Sequence, residues 1–223
     1  MSPFTRVAAC AAAILTWTIP AHAGALRGVL HVPPAASVSA APNPYPGSVG
    51  ALCGAHGARH GLATDAVVYV EGVPDSLAGP SAPEGPPPRL AQKDQTFVPR
   101  VVAVQQGGVV DFPNLDPIFH NVFSVSPTRR FDLGKYPKGH SKQVTFQKPG
   151  LVKVYCDIHS DMEAFVLVLP HRFFARPSAD GVFSLPPLPA GRYQLKVWHP
   201  DLPELTREVE VPESGALDVS LEY

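Results

Sequence analysis

The stretch LVKVYCDIHSDMEAFVLVL, Leu151–Leu169, contains two apolar runs of β type joined by a short polar segment. In the first run Val152, Val154 and Cys156 alternate with Leu151, Lys153 and Tyr155. A strand here therefore turns the cysteine onto the same buried face as two valines. The segment that follows places His159 three residues and Met162 six residues beyond Cys156. A thiol, an imidazole and a thioether at that spacing form a soft metal-ligand set. Taken singly, they are a buried cysteine, a loop histidine and a gap-filling methionine.

A trigonal copper site asks for a second imidazole. His120 is the candidate, because it opens the run HNVFSV (His120–Val125) just after the strand end FPNLD. Two neighbouring strands and one loop then bring His120, Cys156 and His159 together, with Met162 as a weak axial donor. A disulfide between Cys53 and Cys156 is the competing expectation in an oxidising compartment. Cys53, His56 and His60, in CGAHGARH, have ligand-like spacing of their own and are a second candidate metal site. His140, His171 and His199 have no partner pattern and read as surface or core residues.

The compartment follows from the N-terminus. Arg6 precedes an apolar run from Val7 to about Ile19, and Ala21-His22-Ala23 closes it. That pattern predicts an export signal over residues 1–23, cleaved after Ala23, and a periplasmic or secreted mature chain. No other stretch has the roughly 20 apolar residues of a membrane span. Removing Arg6 with the signal leaves 17 Lys+Arg against 19 Asp+Glu. Such a balance offers nothing to nucleic acid or to an anionic membrane surface.

The chain carries 27 prolines and 18 glycines between short Val- and Phe-rich runs, which predicts an all-β protein. GALRGVLHV (Gly24–Val32) and AVVYVEG (Ala66–Gly72) read as strands, while 33–63 and 74–90 read as Pro/Gly-rich loops. FVPRVVAV, VVDFPN, HNVFSV, SKQVTF, LVKVYC and AFVLVL follow as strands, with a loop through FDLGKYPKG. These place one domain over 24–170. Residues 171–223 alternate strictly in GRYQLKVWH, LTREVEV and LDVSLEY, as strands with one wet face do. They predict a small antiparallel sandwich. Its core is thin, so strands from 24–72 are candidates to complete it, with the metal-bearing unit inserted between its halves.

From about Thr96 to Pro170 the sequence resembles the cupredoxins, the type 1 blue copper proteins. The resemblance rests on F-x-P followed by a Gly turn, V-x-F-x-N-x-D, H-N-V and Y-C-x-x-H-x-x-M, in that order. The short Cys-x-x-His-x-x-Met loop looks most like amicyanin. The longer pattern is similar to plastocyanin-like proteins labelled for methylamine utilisation, which join such a unit to a carboxypeptidase-regulatory-like, Ig-like sandwich; Asp180–Tyr223 resembles half of that sandwich. The resemblance implies a Greek-key β-sandwich holding one type 1 copper ion. His120, Cys156 and His159 would be its equatorial ligands and Met162 its axial one. It implies that Asn121 braces the ligand loop by hydrogen bonds. It also implies that Ile158, standing where plastocyanins and amicyanins have proline, donates its N–H to the Cys156 sulfur as in azurins.

The expected function is single-electron transfer with a transient redox partner, by a monomer that is not an enzyme. A cysteine nucleophile lacks an oxyanion-type glycine run nearby, and the His-x-His pairs of a trinuclear oxygen-reducing centre do not occur. The alternatives are a copper-holding protein for metal delivery or resistance, and a structural β module without metal.

Overall fold

The computed structural model describes residues 23–33, 62–79 and 85–223. The expected export signal, apart from Ala23, and the Cys53, His56 and His60 group lie outside these residues. Among the described residues every regular element is a strand, except two 3-10 turns at Ala63–Asp65 and Asp75–Leu77.

The chain begins with β1 (Ala23–His31) and β2 (Val67–Glu71). It continues with β3 (Ala91–Lys93), β4 (Thr96–Val98), β5 (Val101–Gln105), β6 (Val109–Pro113) and β7 (His120–Ser126). Next come β8 (Arg129–Tyr136), β9 (Ser141–Thr145), β10 (Gly150–Tyr155) and β11 (Glu163–Leu169). The last are β12 (Phe174–Ala175), β13 (Val182–Ser184), β14 (Leu188–Pro189), β15 (Gly191–Trp198), β16 (Leu205–Val211) and β17 (Ala216–Glu222).

The middle strands form a sheet in the order β5-β11-β10-β7-β8, covered by the ribbons β6-β9 and β3-β4. Phe112, Phe146, Val122, Val152, Val154 and Val166 fill the space between them, and Cys156 and Met162 belong to the same core. The valine stripe of β10 thus ends on the cysteine, as its alternation predicts. β11 reads as an unbroken apolar run because it is buried on both faces. Ala164, Val166 and Val168 point into this core, while Phe165, Leu167 and Leu169 pack against Val67 and Tyr69 of β2.

The second sandwich joins the two ends of the chain. β2 lies between β12 and β15 in the sheet β12-β2-β15-β16, and β1 lies between β13 and β17. Leu26, Leu30, Val68 and Val70 from the first strands share a core with Leu195, Val197 and Leu221. β1 and β2 thus pair with strands from the far end of the sequence, β17 and β15. The pairing is antiparallel except at β1–β17, which run parallel from Ala25↔Ala216 to His31↔Glu222. Parallel neighbours cannot be joined by a tight turn. Here the connection between them contains the whole of the β3–β11 unit.

Two local expectations change. FVPRVVAV is divided, because Pro99 follows a cis Val98–Pro99 bond and separates β4 from β5. FDLGKYPKG is not a loop: its first six residues lie in β8, the edge strand of the large sheet. Its exposed charges conceal the strand, and charge is what keeps an open edge from pairing with other chains. Phe131 and Leu133 still pack on the core. Between Asn121 and Phe123 the β7–β8 register shifts, with Gly134 at φ 63 on the β8 side. Such a bulge re-aims the strand beside it, here just after His120.

Gly28 tests the closure of the second sandwich. A β-carbon there would lie 2.1 Å from the Val219 carbonyl oxygen and 2.7 Å from Val219 Cγ2. Gly28→Ala is therefore expected to destabilise the protein by about 1–3 kcal/mol, read from the denaturant midpoint. An unchanged midpoint would contradict the β1–β17 pairing.

Candidate metal centre

The Cys156 side chain leaves the end of β10 on the buried face, 5% exposed, as a free thiol. The disulfide to Cys53 is not formed. The residue before it, Tyr155, pairs with Phe123 of β7 and with Glu163 of β11. The seven-residue segment Cys156–Met162 thus leaves a hydrogen-bonded ladder and returns to it one residue later on the next strand. The Met162 N–H donates to the His159 carbonyl at 3.1 Å and tightens the return.

His120, at the start of β7, is fully buried. Its Nδ1 lies 3.9 Å from Cys156 Sγ, and His159 Nδ1 lies 3.8 Å from the same sulfur. All three donor atoms are within 4.8 Å of one another, and the two rings stand 4.7 Å apart, tilted by 55°. A first-row ion that binds nitrogen at about 2.0 Å and sulfur at about 2.3 Å, with an angle near 110–120°, sets the two donors about 3.5–3.7 Å apart, close to the separations here. The donor spacing fits one ion. Met162, 1% exposed, is buried in the same core as Cys156 and supplies a thioether to that end of the sandwich.

Sequence reasoning missed Asp116. Its Oδ2 accepts a hydrogen bond from His120 Nε2 at 2.8 Å. An ionised carboxylate only accepts, so the proton sits on Nε2 and the Nδ1 lone pair faces the thiol. Carboxylate partners of this kind orient metal-binding imidazoles and raise their basicity. Asp116 is itself held from two sides. The N–H groups of Asp94 and Gln95 donate to it at 2.6 and 2.9 Å, and its own N–H donates to Asn114 Oδ1 at 2.9 Å. Asp94 and Gln95 have φ of 53° and 56°, the left-handed turn of the β3–β4 hairpin that aims both N–H groups the same way. Asn114 Nδ2 also ties the loop before His120 to β8, donating to the carbonyls of Ile118 and Tyr136. An acid four residues before the candidate histidine was the available signal; the β3–β4 turn left none.

The electrostatics suit a neutral imidazole at His159. Burial, followed by His120, pushes His159 below the usual histidine range, with Asp116 pulling the other way. Burial raises Asp116, but the Gln95 N–H, His120 and the Asp94 N–H outweigh it, and the carboxyl ends below its usual range. A carboxyl whose folded pKa is depressed stabilises the fold above its unfolded pKa of about 4. That contribution is lost as pH falls through the folded value.

The remaining candidates are placed differently. Asn121 Nδ2 donates to Asp132 Oδ1 across the β7–β8 pair at 2.7 Å, and Asn121 Oδ1 is buried with no hydrogen-bond partner among the described residues. Its side-chain hydrogen bond therefore braces β8 and not the ligand loop. Among the described residues the polar contacts of Cys156 Sγ are the two imidazoles. Ile158 turns its side chain to solvent, 41% exposed, and its N–H makes no hydrogen bond to the sulfur. His171 and His199 are buried and bonded to backbone at Phe173 and at Leu62 and Asp201, while His140 is exposed.

No protein-family model and no curated protein matches the chain. Solved structures that overlap part of it include a copper-containing nitrite reductase from Thermus scotoductus SA-01, at 27% identity and TM-score 0.37. That overlap covers 40% of this chain and 24% of the reductase, so the chain spans about a quarter of its length. A reduced proline-to-phenylalanine mutant of amicyanin overlaps 37% of this chain and 81% of its own, at 21% identity and TM-score 0.34. A purple cupredoxin from Nitrosopumilus maritimus overlaps 36% and 98%, at 19% identity and TM-score 0.34.

Asp116→Asn keeps the size of the side chain and removes the charge that orients His120. Metal affinity is expected to fall by about 10–100-fold, measured by competition with a chelator. In acid titrations from neutral pH the variant should lose less stability than the parent, since its amide has no proton to gain. Unchanged affinity would mean that Asp116 does not orient the ligand.

Proposed function

We propose that this protein is an exported type 1 copper protein that carries single electrons between redox partners. The observation that supports this reading is the convergence of His120 Nδ1, Cys156 Sγ and His159 Nδ1, with sulfur–nitrogen separations of 3.9 and 3.8 Å. A thiolate, two imidazoles and a thioether suit copper, whereas zinc sites draw on thiolate, imidazole and carboxylate without thioether. Copper, when bound, supplies a one-electron couple.

The chain's own residues do the rest. Cys156 and Met162 are locked in a close-packed core, and His120 is held by Asp116. Ligands fixed in this way move little between oxidation states, which keeps the barrier to electron transfer low. His159 is half-buried, at the edge of the site. Ile118 and Phe119 immediately precede His120, Ile158 precedes His159, and Leu115 lies in the same loop as Phe119. All four are exposed, Phe119 by 56%. They give the edge an apolar rim suited to a small, short-lived contact with a partner.

The deep burial of three ligands disfavours the reading as a metal-delivery protein, which needs an exchangeable site. An extracytoplasmic location and a monomeric state belong to the same proposal. No helix among the described residues is long and apolar enough to cross a membrane.

The absorption spectrum of the mature protein loaded with Cu(II) tests the reading. An intense visible thiolate-to-copper band is expected, absent in Cys156→Ser. A faint spectrum that survives the substitution would overturn it.

A further inference from the structure

The ligand loop packs on the core on one side and borders a cleft on the other. A cavity of about 470 Å³ lies between the two sandwiches, and Asp161, Met162 and Glu163 line it together with Phe97, Arg100 and Arg176. The stretch where the loop returns to β11 therefore forms part of the wall of that cleft. Arg100 crosses this gap. It stands between β4 and β5, and its carbonyl accepts from the Phe165 N–H at 2.9 Å, beginning the parallel β5–β11 ladder.

The guanidinium of Arg100 faces three carboxylates. It binds both oxygens of Asp201, in the loop between β15 and β16, with Nη2 to Oδ1 at 3.0 Å. Asp65, in the turn before β2, lies 3.7 Å from Nη1. Glu163, the residue after Met162, lies 4.0 Å from Nη2. The guanidinium also stacks over the Phe165 ring, 5.2 Å from its centre. Two of the three acids belong to the second sandwich and the third opens β11. A bidentate Arg–carboxylate pair is directional, and Arg100, with its side chain 18% exposed, is screened less than a surface cation, although Glu163 is the more exposed partner. Arg100 itself, at the edge of the apolar seam of Val67, Tyr69, Phe165 and Leu167, is pre-ordered by that packing.

We propose that the second sandwich serves as a buttress for the metal loop, acting through Arg100, and that Arg100 is a positioning residue for the Met162 end of the site. Asp201 and Asp65 hold the guanidinium, the guanidinium holds Glu163 and Phe165, and these fix where the ligand loop rejoins the sheet. The consequence for copper rests on the function proposed above; the restraint on the loop does not.

The test uses the full chain with Arg100→Leu, Arg100→Lys and Asp201→Asn. In the metal-free protein, amide hydrogen exchange at Met162 and Ala164 is expected to accelerate about tenfold or more in Arg100→Leu and in Asp201→Asn. Val110 and Val144, on the opposite ribbon, should be unchanged, and Arg100→Lys should restore part of the protection. In the copper-loaded protein, Arg100→Leu should shift the reduction potential and broaden the electron paramagnetic resonance lines, with Lys again intermediate. Unchanged exchange at Met162 and Ala164, or equal acceleration at all four amides, would overturn the proposal. Should Arg100→Leu not fold, Asp201→Asn reads the same restraint from the other sandwich. A wild-type protein without the visible copper band would remove the electron-transfer reading and leave the exchange test standing.

Discussion

The arrangement of the site depends on keeping one face of a fully buried imidazole turned toward a thiol. His120 has two nitrogens and one pocket, and the carboxylate of Asp116 decides which nitrogen is bare. A buried carboxylate is costly unless its acceptor sites are filled. The β3–β4 turn fills them with two backbone N–H groups, at the expense of a left-handed conformation in two residues that are not glycine. Strain in one hairpin and order at His120 are thus parts of one network.

Burial does the same work for sulfur. Cys156 follows directly on β10 and continues its inward stripe, so the packing of Val152 and Val154 fixes its depth before any ion is considered. Pairing of Tyr155 with Glu163 then limits the path open to the seven residues that carry His159 and Met162. The donors converge because strand geometry leaves them nowhere else to go. The same strand, β11, carries its other face to the second sandwich, which links the ligand loop to the far end of the chain.

Much of this was legible in the amino-acid sequence, and the rest was hidden for physical reasons. The alternation in LVKVYC and the order of Cys156, His159 and Met162 are local, and local patterns survive folding. The β8 edge was hidden because its outward charges break the apolar period. The place of β1 and β2 beside β17 and β15 stayed an alternative, since strands from opposite chain ends share no turn to announce the pairing. Asp116 and Arg100 lie in loops and act through partners distant in sequence, 21 residues to Gln95 and 101 to Asp201. No spacing rule brings such partners together. The braces expected from Asn121 and Ile158 came from resemblance alone; here Asn121 bonds to Asp132, and the polar contacts of the Cys156 sulfur among the described residues are the two imidazoles.

Crystals of the mature protein grown with one equivalent of copper allow the ion to be located by anomalous scattering at the copper edge. The account places a single strong peak within bonding distance of His120 Nδ1, Cys156 Sγ and His159 Nδ1. A peak at Cys53, His56 and His60, or at surface histidines with the space beside Cys156 featureless, would contradict it.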